Sequence, residues 1–141
     1  MDSLLIIMIL DFEDTFIVGQ DIYFDSISPT TSFGVTFEDD LTTGYLYAIN
    51  TQPGLQILDA VHIYNVVNVI DKLQPSKFQI WWTDDGQIAA LLINNYCHAI
   101  FDFVKEEGFC RTAFPPPNGK WARDGERNEL TDDLVESLKD R

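Results

Sequence analysis

Lysine and arginine are missing altogether from the first 71 residues of this chain, which hold 11 aspartates and glutamates. Across all 141 residues, nine bases stand against 23 acids, a net charge of −14. A field of that sign repels phosphate backbones and anionic lipid and draws cationic partners inward, so nucleic acid and membrane are excluded as partners. Cysteine is scarce as well. Cys97 and Cys110 are too few for a disulfide framework in a chain long enough to bury a core, and reduced thiols in the cytoplasm are expected. Long apolar runs are absent. The run from Leu4 to Leu10 has seven residues, far below the ~20 that cross a bilayer. It has Asp2 before it and Asp11 after it, where a secretory signal carries a basic region. It reads as a strand covered on both faces.

Catalytic and metal motifs are missing too. The chain has no G-x-S-x-G, no glycine-rich phosphate loop and no dinucleotide fingerprint. Cys97, His98, Cys110 and His62 lack the spacing of a zinc site, and strand alternation sends the adjacent Cys97 and His98 to opposite faces. The acidic stretches "FEDDLTTG" and "TDDGQ" lack the alternating oxygens, central glycine and terminal glutamate of a calcium loop. No metal, no cofactor and no enzymatic activity are expected. Two His–carboxylate contacts, His62 with Asp59 and His98 with Asp102, keep a rival reading open: a small enzyme or ligand-binding domain with a pocket near His62 or His98.

What is present is an ordinary apolar fraction of 45%, enough for one domain over residues 1–141. Thr15 to Phe24 offers a strand bulged at Gly19. "FGVTFEDDLTTGYLYAIN", Phe33 to Asn50, alternates on both sides of an acidic turn and predicts a hairpin. Phe33, Val35 and Phe37 share one face, Gly34, Thr36 and Glu38 the other; Tyr45, Tyr47 and Ile49 oppose Leu46 and Ala48. From Leu55 to Asn65 the spacing of Leu55, Leu58, Val61 and Tyr64 or Asn65 predicts a central helix running into an extended tail, although the Val-rich end of the segment suits a strand. Lys77 to Phe103 predicts a three-stranded meander with tight turns at Asp85–Gly86 and Asn94–Asn95. Its core faces carry Trp82 and Phe101, and Cys97, Ala99, Phe101 and Phe103 fall together. Phe114 to Asn128 is irregular, and a short helix follows, with Thr131 as N-cap and Leu130 and Val135 as a hydrophobic staple. The expected fold is α+β, a mainly antiparallel sheet with a central helix and a short C-terminal helix.

Glu38, Asp39 and Asp40 stand beside Tyr45 and Tyr47 with no base near them, which is either a solvated turn or a surface for an Arg- and Lys-rich partner. Asp84 and Asp85 repeat the charge on the second hairpin. Trp81 either packs under a helix or stands exposed as an anchor. The segments "FGVTFEDDLTTGYLYAIN", "QILDAVHIYNV" and "IWWTDDGQIAALLINNYCHAIFDF" resemble a family of small uncharacterised bacterial proteins classified only as a domain of unknown function. That resemblance covers about residues 33–115 and implies no activity. In size and acidity the chain is also similar in type to immunity proteins of bacterial toxin systems, contact-dependent growth inhibition included. The expected function is an immunity or antitoxin-like protein that occludes the active site of a cationic toxin such as a nuclease. The partner-binding residues would be Glu38, Asp39, Asp40, Tyr45, Tyr47, Trp81, Asp84 and Asp85.

Overall fold

Strand pairing between alternating segments accounts for nearly all of the regular structure. The computed structural model describes residues 8–117, 119–121 and 125–139. In chain order the strands are β1 (Met8–Phe16), β2 (Ile22–Ile27), β3 (Phe33–Asp39), β4 (Thr43–Asn50) and β5 (Gln56–Asn65). They continue with β6 (Ser76–Thr83), β7 (Ile88–Ile93), β8 (Tyr96–Asp102), β9 (Glu107–Cys110) and β10 (Asn128–Glu129), and end on helix α1 (Asp132–Lys139). Four strands form one sheet in the order β2-β3-β4-β5, and six form another in the order β1-β6-β7-β8-β9-β10. Pairing is antiparallel except for β10 on β9.

The two sheets pack face to face. Phe78, Ile80, Trp82, Leu91 and Phe101 of the larger sheet meet Val35, Phe37, Leu46 and Val61 of the smaller, all at or near zero exposure. The Trp82 indole donates to Ser26 Oγ at 2.9 Å, and that hydroxyl donates to Asp11 Oδ2 at 2.5 Å, so this buried indole nitrogen is satisfied across the sheets. A second cluster covers the outer face of the larger sheet. There Ala90, Cys97 and Ile100 pack with Leu130, Leu134, Val135 and Leu138, the residues of α1 and its approach. Thr131 Oγ1 accepts from the Leu134 amide at 3.2 Å, the N-cap contact its position predicts. The layers run helix, sheet, sheet.

The expected α+β class is therefore corrected to mainly β, and no central helix exists: residues 56–65 are β5. The physical reason is a pair of register shifts. Ladder partners skip Leu58 and Ile63, and each skip moves the inward position by one residue. Leu58, Val61 and Tyr64 all reach the inter-sheet core, so a twice-bulged strand presents the three-residue spacing of a helix. β1 is also corrected. It is the edge of the larger sheet, with Ile9 and Leu10 exposed, and so is not covered on both faces; Leu4 to Ile7 lie outside the described residues. Thr15 to Phe24 is two strands, since Gly19, at φ 88°, sits in the turn between β1 and β2.

The meander forms as expected. Asn94, Asn95 and Gly86 take φ values of 52°, 69° and 71°, the left-handed region in which Asn and Gly carry little penalty. Within β8 a register shift leaves His98 without a ladder partner. Cys97 consequently joins the outer cluster, while Ala99, Phe101 and Phe103 stay in the inter-sheet core.

Candidate functional site: the outer face of the four-stranded sheet

The outer face of β2-β3-β4-β5 is organised by register into transverse rows. Tyr23 pairs with Glu38, Glu38 with Tyr45, and Tyr45 with His62. The next row is Asp25, Thr36, Tyr47 and Ala60, and the third is Ile27, Gly34, Ile49 and Ile57. Side chains in such rows lie close enough to touch. Tyr45 and Tyr47 stack with centroids 6.2 Å apart and planes 24° apart. Tyr47 donates its hydroxyl to Glu38 Oε1 at 3.4 Å, and Thr36 donates to Asp25 Oδ1 at 2.7 Å. Burial, with Glu38 beside it, raises the Tyr47 phenol, and the Asp25 charge raises that of Tyr23. Both remain protonated donors. Tyr23 and Ile57 stand 63% and 67% exposed, so the face is open at both flanks. The residues of this sheet lie wholly within the base-free first half of the chain.

The run Glu38, Asp39, Asp40 splits three ways. Glu38 faces outward, half-buried among the tyrosines. Asp39 is fully buried, and its carboxylate accepts from the Gly19 amide at 2.7 Å, the Tyr64 hydroxyl at 2.6 Å and the Leu41 amide at 2.9 Å. It holds two turns together and has no surface to offer a partner. Alternation in "FGVTFED" places Asp39 with Phe33, Val35 and Phe37, so this much was visible in the sequence. Burial, reinforced by that hydrogen bond from its own hydroxyl, raises the Tyr64 phenol. Asp40 is exposed at the β3–β4 turn. Its Oδ1 accepts from the amides of Thr43 and Thr42 at 2.8 and 3.0 Å, which lowers its pKa below the usual aspartate value.

Trp81, Asp84 and Asp85 lie elsewhere. Trp81 is on the outer face of the larger sheet, packed against the cluster under α1. Asp84 and Asp85 are exposed at the β6–β7 turn. That turn is strapped to the β2–β3 connection, where Thr30 Oγ1 donates to the Asp85 carbonyl and Ser28 Oγ to the Gly86 carbonyl. The β2–β3 connection and the β3–β4 turn are at opposite ends of the smaller sheet, so the two acidic turns do not form one patch. Of the eight expected residues, only Glu38, Tyr45 and Tyr47 share a face, with Asp40 at its rim. Tyr23 and Asp25 belong to that face and were missed, although alternation in "IYFDSI" points them outward.

Neither expected His–carboxylate contact forms. His62 is buried between Tyr45 and Phe114; its Nδ1 contacts Thr112 Oγ1 at 3.1 Å and its Nε2 contacts Asn65 Oδ1 at 2.9 Å. Asp59 is instead held by Arg127 in a bidentate pair of 2.6 and 2.7 Å, with both side chains almost wholly buried. Arg127 also donates to the carbonyls of Pro115, Gly108 and Ala60, so its fork of donors is well satisfied. Gly108 is required here, since a Cβ at that position would run into the Asp59 carboxylate and the Arg127 guanidinium. Asp102 Oδ1 accepts from the amides of Val104 and Lys105, closing the β8–β9 turn. Among the described residues no three His, Cys, Asp or Glu side chains gather to hold a metal ion. No helix among them is long and apolar enough to cross a membrane.

No solved structure matches this chain. An uncharacterized protein of Haemophilus influenzae (strain Rd) is 40% identical over 95 residues, which cover 65% of this chain and 59% of the relative's own length. The chain thus spans about three-fifths of that relative. A family model described as "Uncharacterized protein conserved in bacteria (DUF2251)" matches residues 16–139, and the chain belongs to that family.

Proposed function

We propose that the chain is a protein-binding domain that engages a basic partner protein with the outer face of its four-stranded sheet. The observation that carries this reading is the row structure of that face: tyrosines alternate with carboxylates, and among the described residues no lysine, arginine or helix lies on it. Aromatic side chains bring large contact area at little entropic cost, and a partner guanidinium stacks on a tyrosine while pairing with a carboxylate. The net charge of −14 speeds encounter with a cationic surface. Neutralising a cationic toxin by occlusion is the specific form of the proposal, because the active site of a nuclease is basic where it holds phosphate. The family carries no assigned activity, and the resemblance to immunity proteins is one of size and charge, so the proposal stands on the face alone.

Affinity capture from the native cell tests it, with the wild-type chain beside a Tyr23→Ala, Glu38→Gln, Tyr47→Ala variant. A stoichiometric basic protein retained by the wild type and lost by the folded variant is expected. Its association rate should fall between low and physiological salt, as the Debye length shortens to about 8 Å. Equal retention by both chains, or a partner of acidic character, overturns the reading.

A further inference from the structure

The loop between β5 and β6 and the bulge in β8 enclose a cleft of about 530 Å³ at one end of the sandwich. That volume falls in the range of roughly 300–1,000 Å³ occupied by small-molecule sites. Val18 and Ile93, both core residues, line it together with Val69 and the ring of Tyr64. This end of the molecule is distinct from the tyrosine face, since Tyr64 is directed toward Asp39 and the core.

His98 lines the cleft, with Asp71, Gln74, Ser76 and Asn94 as the other polar residues there. The β7–β8 ladder skips His98, and bulges of this kind re-aim a side chain out of strand alternation. Its ring meets Tyr96 edge-on at 5.0 Å, and the Arg111 guanidinium sits over that same tyrosine, 4.4 Å from its centroid. Neither ring nitrogen of His98 has a hydrogen-bond partner among the described residues, and neither is sealed from solvent. Burial first, and the Arg111 charge second, push its pKa down to about 4, so at neutral pH the imidazole presents one donor and one acceptor. The neighbouring Asn94 amide is already engaged, with Oδ1 accepting from the Lys77 amide at 2.8 Å and Nδ2 donating to Ser76 Oγ at 3.3 Å. Among the described residues no lysine or arginine lines the cleft, and Asp71 does. A phosphate or carboxylate ligand would find no ion-pair partner in that lining and would face Asp71.

We propose that this cleft binds a small planar organic molecule, uncharged or cationic, whose N–H or O–H meets the His98 imidazole while its ring packs on Val69, Ile93 and Tyr64. The site is independent of the protein-binding face. It takes a heteroaromatic or amine-bearing ligand and rejects anions.

Three probes with one body and different charge test this: 3-methylindole (neutral), tryptamine (cationic) and indole-3-acetate (anionic), titrated into the full ¹⁵N-labelled chain by NMR. The neutral and cationic probes are expected to shift the amides of Val69, Ile93, Asn94 and His98 saturably, with dissociation constants below about 1 mM. Indole-3-acetate is expected to bind at least about ten-fold more weakly. His98→Phe keeps the ring against Tyr96 and removes both nitrogens, and it should weaken 3-methylindole by about ten-fold. Val69→Trp fills the cleft from the loop and should abolish binding whether or not the first variant folds. The proposal is overturned by any of four results: no saturable shift with 3-methylindole, shifts confined to the tyrosine face, equal affinity for indole-3-acetate, or full binding by Val69→Trp.

Discussion

The outer faces of the two sheets were built to different rules. On the six-stranded sheet, Trp81, Ala90, Leu92, Cys97 and Ile100 present an apolar surface, and α1 folds down over it with Leu134, Val135 and Leu138. On the four-stranded sheet the corresponding positions are Tyr23, Asp25, Thr36, Glu38, Tyr45 and Tyr47, and no described element lies across their centre. An apolar face exposed to water costs on the order of 25 cal/mol per Å², so the first face requires its helix. The second carries polar groups at its ring edges and can remain open. The difference teaches where to look for recognition: the covered face contributes stability, and the open one is available for contact.

Four measurements break or sharpen this comparison. The largest effect is expected at the pair that joins the two regions, because Asp59 belongs to the smaller sheet and Arg127 to the segment leading into α1. Arg127→Met leaves a buried carboxylate without its partner and should cost about 3–5 kcal/mol in urea denaturation. Adding Asp59→Leu should restore most of that loss, since a buried pair replaced by apolar side chains is often near neutral. Next comes Leu130→Ala, at 1% exposure the anchor of the helical cover, with an expected loss of about 3 kcal/mol. Tryptophan emission should shift to the red as Trp81 gains water.

The third effect is a pH dependence. His98 titrates near 6.5 when unfolded and near 4 in the native fold, so the unfolded chain binds more protons between those values. Stability contributed by the neutral ring is fully present above pH 6.5 and is lost as pH falls toward about 4. The groups around the ring are Arg111 and Tyr96 on the strand side, and Asp71 and Tyr64 across the cleft. Allowing for partial exposure, the loss should reach about 2 kcal/mol, and His98→Gln should remove that component of the pH profile. The smallest effect is expected on the open face. Glu38→Gln with Tyr47→Phe should change stability by less than about 0.5 kcal/mol. A loss above about 2 kcal/mol would show that this face is structural after all.

Where local chemistry decided the outcome, the fold was legible. The Asp85–Gly86 and Asn94–Asn95 turns demand positive φ from residues that tolerate it, and the meander follows from them without tertiary information. The β3–β4 hairpin and the N-cap at Thr131 were legible for the same reason. β5 was not, because two bulges gave a strand the spacing of a helix. Its identity depends on the β4 ladder along one edge and on the Phe114 carbonyl, which accepts from the His62 amide at 2.9 Å along the other. The Cys97 side of β8 was misplaced for a related reason: one skipped residue reverses alternation, and no residue type announces the skip.

The candidate site divides in the same way. Sequence alone determined the charge asymmetry, the common face of Tyr45 and Tyr47, and the turns that carry Asp40, Asp84 and Asp85, since each depends on neighbours within a few residues. Only the tertiary structure decided that the two acidic turns point to opposite ends and that Asp39 is enclosed by Gly19 and Tyr64. Only it could join Asp59 to Arg127, 68 residues along the chain, or set His98 in the lining of a cleft. These are contacts between distant segments, set by ladder register and sheet packing, and a pattern of period two or three carries no information about which remote strand will lie alongside.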